Sequence, residues 1–265
     1  MSDQVTGATL AAASAEGSAI AVATVIGATG AIPMGARVAL LADGTKLGQI
    51  SPDVDDELLP RLRSAIDSHQ SSALVLAADG DEVEVYIEVT EPAAELIVVG
   101  GGHIGRSLSF VGHHVGLSVT VIDDREAYAN RERFPEADRV ICADIVETLR
   151  TLQIGPASFI VIVTRGHKQD EAALREVVGS AVRYIGMIGS KRRVTAVFQH
   201  LLEEGLAKAD LERVHSPVGV DIGAETPEEI AVSILAEIIQ VRRGGSLQAM
   251  TKTRPRAATA PSRPA

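Results

Sequence analysis

The sequence predicts an α/β protein in two parts: a doubly wound parallel sheet, preceded by a smaller N-terminal α+β domain. Three observations carry this. Between residues 82 and 90, Val83, Val85, Ile87 and Val89 alternate with Glu82, Glu84, Tyr86 and Glu88. That period of two marks an antiparallel strand with one wet face. From residue 95 onward the strands become unbroken runs of Val, Ile and Leu, as strands covered on both faces require. Helical patterns separate those runs, and strands alternating with helices build a parallel sheet. With 46% hydrophobic residues but only 3% aromatic ones and no Trp, the cores must be aliphatic.

In chain order, residues 20–26 read as a buried strand, and the glycines and proline of 27–35 as a loop. Residues 38–41 and 47–50 form a hairpin about Asp43-Gly44, a pair suited to positive-φ turn positions. Ser51-Pro52 starts a helix, Ser as N-cap and Pro in the first turn. Val54, Leu58, Leu62 and Ile66 then recur at helical spacing, with Asp55, Asp56, Arg61 and Arg63 around the rest of the cylinder. A second hairpin joins 73–77 to 82–90 through Asp79-Gly80. After a linker at 91–94, strands are expected at 96–99, 118–122, 139–142, 158–163 and 184–188. Helices are expected at 103–116, 144–152, 170–180, 191–204 and 227–242. The expected division is a disordered start (1–17), an N-terminal domain (18–92), a parallel-sheet domain (95–243) and a disordered tail (244–265) rich in Ala, Pro, Thr and Arg.

The net charge is −10, and the tail contributes +4 through Lys252, Arg254, Arg256 and Arg263, leaving −14 on the rest. A body so acidic repels phosphate backbones, which argues against nucleic-acid binding. A single cysteine, Cys142, excludes an internal disulfide and any multi-cysteine zinc site; closing an apolar strand, it reads as an inert core thiol, with a sulfur ligand near a strand end as the alternative. One thiol, no basic-then-apolar leader and no membrane-length apolar run give a cytoplasmic expectation, with no membrane partner.

The chemistry gathers in loops that follow strands. Gly100-Gly101-Gly102-His103-Ile104-Gly105 sits between a buried strand and a helix, and Asp123 closes the next strand. That is the context of a Rossmann dinucleotide loop: glycines for the turn, for phosphate approach and for helix packing, with N–H groups at the helix start facing an anion. An acid at Asp123 suits a ribose hydroxyl and favours NAD over NADP, though Arg125 blurs the choice. His103 reads equally as a phosphate contact or a helix cap. Thr164-Arg165-Gly166-His167-Lys168-Gln169-Asp170 follows the fourth strand, where His167 and Asp170, three apart at a helix start, can face one pocket. Gly189-Ser190-Lys191-Arg192 enters a helix with two cations for a phosphate. In the loop before the last helix, Thr226, Pro227 and Glu229 read as a capping box, whereas Asp221 has no structural reason to be there. His167, Asp170 and Asp221 are therefore the acid–base candidates. No His pair has metal-ligand spacing, and no metal site is expected.

Together these residues resemble the XdhC/CoxI family, accessory proteins of xanthine dehydrogenase and related molybdenum hydroxylases. The resemblance rests on Gly100 to Gly105, Asp123-Asp124-Arg125, Phe134-Pro135 with Ala137-Asp138, and Thr164, His167 and Asp170. It continues through Tyr184-Ile185-Gly186-Met187-Ile188-Gly189-Ser190-Lys191, then Pro217, Gly219, Asp221-Ile222-Gly223 and Thr226-Pro227-Glu228-Glu229-Ile230-Ala231. The N-terminal domain resembles the family's at Ala23-Thr24-Val25, Pro33-Met34-Gly35-Ala36, Asp43-Gly44 and Gly48. It departs where the family usually carries Gly-Gly-Cys-x-Glu: here stands Ser51-Pro52-Asp53-Val54-Asp55. Arg165-Gly166 likewise replaces a more usual His-Asp. The resemblance implies a cytoplasmic maturation factor that binds the molybdenum cofactor (molybdopterin), assists its sulfuration with a cysteine desulfurase and delivers it to a molybdenum hydroxylase apo-enzyme. It would work as a chaperone more than a catalyst, and a homodimer suits the fold. The cofactor's phosphate would rest on the Gly100 or the Gly189 loop, with Gly101, Gly102, His103, Ile104, Gly105, Asp123, Asp124, Arg125, Thr164, Ser190 and Lys191 as contacts. Two other functions fit the residues: an NAD(P)-dependent oxidoreductase with His167 or Asp221 moving the proton, and a nucleotide-sensing module without chemistry.

Overall fold

The alternation at 82–90 is realised in an antiparallel sheet, seen in a computed structural model that describes residues 5–7, 9–10, 19–68, 70–78, 81–90 and 93–248. Its strands are β1 (Ile20–Ala28), β2 (Arg37–Leu41), β3 (Lys46–Gly48), β4 (Ser72–Ala78) and β5 (Asp81–Thr90), in the order β3-β2-β1-β5-β4. The hairpin turn expected at Asp79-Gly80 lies outside the described residues, as does the tail from residue 249. Helix α1 (Pro52–Ser68) covers one face. There Val54, Leu58, Leu62 and Ile66 pack on Ala21, Ala23, Val25, Val83, Val85 and Ile87, the inward half of each alternating strand. Burying each such aliphatic side chain contributes about 1.5–3 kcal/mol.

The structure corrects the sequence reading at two places here. Val5 and Leu10, expected in a disordered start, pack against Ile20, Val22, Ala39 and Leu41 on the sheet's other face. Those apolar side chains, left uncovered by α1, need a cover of their own. Residues 1–4, 8 and 11–17 of that start lie outside the described residues. Asp55, expected on the wet side of α1, is only 1% exposed. Lys46 Nζ donates to it at 2.7 Å and the Ile50 N–H at 3.0 Å, so the acid fastens edge strand β3 to the start of α1.

The second sheet is parallel and six-stranded, in the order β11-β10-β9-β6-β7-β8. Its strands are β6 (Glu95–Val99), β7 (Ser118–Asp123), β8 (Arg139–Cys142), β9 (Ser158–Ile162), β10 (Tyr184–Met187) and β11 (Val214–His215). The chain steps from β6 to β7 and β8 on one side, then returns to β9, β10 and β11 on the other. The reversal opens a crevice beyond the carboxyl end of β6, where such sheets bind ligands. The intervening helices are α2 (His103–His114), α3 (Ile145–Thr151), α4 (His167–Val177), α5 (Lys191–Glu203), α6 (Lys208–Glu212) and α7 (Pro227–Arg243).

Each central strand feeds both faces. Ile97, Val99, Ile160 and Ile162 pack with Leu149, Leu174 and Val197 of α3, α4 and α5. Leu96, Val98, Phe159 and Val161 pack with Leu108 of α2 and with Ile234 and Ile238 of α7. The two-residue β11 and the five-residue α6 carry no periodic signal and are not foreseen by the sequence. Cys142, read as a core thiol, is exposed. It ends β8, which pairs only with β7, so the outer edge of that strand meets solvent. Among the described residues no helix is long and apolar enough to cross a membrane.

Candidate functional site

The site grows from the end of β6. Gly100 has φ +119°, and a Cβ there would stand 2.5 Å from the Val163 carbonyl oxygen. At Gly101 a Cβ would meet the Tyr128 carbonyl oxygen at 2.1 Å, and at Gly105 the Gly100 carbonyl oxygen at 1.9 Å. These three are glycine because neighbouring backbone fills the space. Gly102 differs: a Cβ there would touch nothing within 4 Å. As N-cap of α2 it offers no side-chain cap, and the first turn of α2 holds no acid. The opening N–H groups therefore have no side-chain cap and stand at the positive end of the helix dipole, an arrangement suited to a phosphate. Of the two roles open to His103, the cap is not taken: Gly102 caps, and His103 is exposed on the first turn.

Asp123, at the end of β7, is 2% exposed. Its Oδ2 accepts the Gly101 N–H at 2.8 Å and Arg125 Nη2 at 3.0 Å. Its Oδ1 accepts the Arg125 N–H at 3.1 Å and Arg125 Nε at 2.8 Å. Burial alone would raise this carboxyl's pKa, but the bonds from Arg125 and Gly101 outweigh it and hold the group below the usual carboxylate range. Arg125 in turn lies over the Tyr128 ring, 3.7 Å from its centroid. Arg133 lies 5.2 Å from that centroid and donates to the Gly101 carbonyl at 3.3 Å. The turn after β7 thus closes over the acid from which a ribose would be held.

On the other side of β6, Asp170 is 1% exposed. Its Oδ1 accepts the Thr164 hydroxyl at 2.5 Å and the Thr164 N–H at 3.2 Å; its Oδ2 is buried with no hydrogen-bond partner among the described residues. Burial pushes this carboxyl up, and Thr164 and the Arg193 guanidinium offset it only in part. His167 is exposed and Asp170 buried, yet the imidazole stands close enough to act on the carboxyl, favouring its charged form. Asp124 joins the two loops: its Oδ2 accepts Arg165 Nη2 at 3.2 Å and Gln169 Nε2 at 3.3 Å.

The remaining candidates stand apart. Ser190 caps α5, its Oγ accepting the Arg193 N–H at 3.4 Å, and Lys191 opens that helix exposed. This loop ends β10, with β9 between it and the glycine loop. Asp221 is exposed on the loop before α7, and Thr226 with Glu229 forms the expected capping box. That loop is pinned by a network the sequence reading missed. Tyr184 donates to Glu237 Oε2 at 2.6 Å, the Gly219 N–H reaches the same oxygen at 2.9 Å, and His215 Nδ1 lies 3.0 Å from Oε1. Burial disfavours charge on Glu237, yet these bonds lower its pKa, while burial raises that of Tyr184. The only signal was the helical position of one acid on an otherwise apolar face of α7.

A parallel sheet of this order, with a glycine loop at its crevice, defines a Rossmann-type domain. The particular family follows from comparison. Residues 96–238 match the XdhC Rossmann domain, and the chain belongs to the XdhC family. It is 30% identical over 236 residues to the uncharacterised protein YqeB of Escherichia coli K12, covering 84% of this chain and 43% of that one. It is 34% identical over 172 residues to a probable xanthine dehydrogenase subunit of Bacillus subtilis 168, covering 65% of this chain and 50% of that one. The chain thus spans about half the length, or less, of these curated relatives. A crystal structure of a xanthine dehydrogenase from Bacillus halodurans shares the fold, with a TM-score of 0.54 and 21% identity over 93% of this chain and 97% of that one.

Proposed function

We propose that this chain is an accessory protein that carries the molybdenum cofactor, as cargo, for the maturation of a xanthine dehydrogenase-type hydroxylase. One observation carries the choice of ligand. The phosphate end of the site is open at Gly102, while the ribose end at Asp123 is already saturated by four donors. A phosphate monoester such as molybdopterin needs the first and not the second; NAD needs both. The N–H groups of His103, Ile104 and Gly105 would hold the cargo's phosphate, with Arg133 beside them. The cargo would supply its own metal chemistry, and this chain would bind and orient it. Cys142 is the chain's one thiol, and it ends the strand paired to Asp123, on the same edge of the sheet. A cysteine desulfurase and an apo-hydroxylase are the partners this reading requires. Support for a hydroxylase role comes from the family and from the B. subtilis relative.

Mass spectrometry of small molecules released from protein purified from its native host tests the reading, together with hydroxylase activity in a deletion strain. Molybdopterin in the first and lost activity in the second are expected. No molybdopterin with normal hydroxylase activity overturns it. The NAD(P)-dependent oxidoreductase remains the competing function because the glycine loop is complete. Calorimetry with NAD and NADP decides it: the closed Asp123 predicts no measurable NAD affinity, and Arg125→Ala should let NAD in. Tight NAD binding to the unaltered chain would favour the oxidoreductase.

A further inference from the structure

A cleft of about 490 Å³ runs beside α2, lined by His103, Arg106, Phe110, Arg133, Glu136 and Glu228 among others. That volume lies in the range of small-molecule sites. It shares His103 with the phosphate-accepting turn, and Phe110 stands seven residues further on, roughly 10 Å along the helix. We propose that this cleft seats a fused ring presenting a 2-amino-4-oxopyrimidine edge, the edge common to pterins and guanine, with the ligand's phosphate toward the start of α2. The proposal rests on the cargo reading above and names the ring-recognising residues it leaves open.

Three features of the cleft point the same way. Phe110 is 54% exposed, an aromatic face that a flat heterocycle would cover. Glu136 is held by Ser109, which is wholly buried and donates to Oε1 at 2.9 Å; its Oε2 has no partner among the described residues. Glu228 lies more loosely, 3.2 Å from the Ser107 hydroxyl, which also reaches the His103 carbonyl at 3.1 Å. A carboxylate fixed like that of Glu136 accepts a ring N–H and the adjacent amino group as a parallel pair, which the 2-amino-4-oxopyrimidine edge supplies. Adenine places a ring acceptor where that N–H should be, so a carboxylate would be left facing a lone pair. Finally, Arg133 is tied to the Gly101 carbonyl through Nη2, while its Nε is buried without a partner among the described residues. This fixed cation stands where cleft and glycine loop meet, its charge beside the phosphate that would join them.

Titration of the full chain with GMP, IMP and AMP tests this. GMP should bind about tenfold more tightly than AMP, with IMP, which lacks the amino group, between them. Glu136→Gln turns a donor toward the ring edge and should weaken GMP about tenfold. Phe110→Ala removes an exposed ring, leaves the core intact and should weaken all three nucleotides. Equal affinity for GMP and AMP overturns the proposal, as does unchanged GMP binding in both variants. The two readings fail separately. Molybdopterin that co-purifies from the host while GMP and AMP bind alike overturns the cleft and spares the carrier. Selective GMP binding without molybdopterin does the reverse.

Discussion

Two buried carboxylates flank the central strand, and the loops around them solve opposite problems. After β7, Asp123 meets four donors within 3.1 Å, three of them from one residue, Arg125. After β9, Asp170 is as deeply buried but has only Thr164 on one oxygen and nothing on the other. Similar burial therefore yields a firmly ionised acid in one loop and an acid pushed toward neutrality in the other. Burial sets the penalty for charge; the neighbours decide whether the charge survives it. The β7 loop is a closed, rigid pin on the glycine turn. Among the described residues, buried polar atoms without a partner lie instead at Arg133 and Asp170.

The largest effect should come from breaking the pin. Asp123→Ala leaves Arg125 and the Gly101 N–H without their acceptor, and should cost about 3 kcal/mol in urea unfolding. Because the folded pKa of Asp123 is lowered, its contribution is present above the unfolded carboxylate range. It is lost as pH falls through the folded value, so the difference from the unaltered chain should shrink in acid. A loss below about 0.5 kcal/mol at pH 7 would refute the pin.

Next come the glycines. Gly101→Ala drives a Cβ into the Tyr128 carbonyl and should cost about 1–3 kcal/mol. Gly102→Ala has room and a φ of −69°, and should leave stability within about 0.5 kcal/mol while weakening phosphate-ligand binding. Equal stabilities for the two variants would erase the distinction between backbone packing and ligand approach.

The smallest effect should be Asp170→Asn. A group whose folded pKa is raised contributes stability that is complete below its unfolded pKa and declines as pH rises through the folded value. The amide escapes that decline. The variant should match the unaltered chain near the unfolded carboxylate pKa, about 4, and gain on it toward neutrality, by thermal unfolding. A variant that loses ground as pH rises would show that Asp170 is ionised and paired.

Much of this was legible in the chain itself. Period-two alternation at Val83, Val85 and Ile87 fixed the wet face of β5, and the unbroken Leu96–Val99 run announced a strand covered on both sides. The glycine loop was readable because turn, phosphate approach and helix packing each forbid a side chain at a known spacing. Asp55 and Glu237 were not readable, since their partners lie on other elements: Lys46 on β3 for the first, Tyr184 and His215 on β10 and β11 for the second. Cys142 was misplaced because apolar composition cannot tell a central strand from an edge strand. Position in the sheet is a property of topology.

The local sequence by itself determined the parallel sheet, the glycine turn and the placing of an acid opposite it, because strand period, glycine spacing and capping act over a few residues. Only the tertiary structure decided that Arg125 folds back to fill that acid, that Asp170 is stranded beside Thr164, and that Phe110, Arg133 and Glu136 share one cleft. Those outcomes turn on burial and on contacts between distant elements, and desolvation is set by everything that surrounds a group.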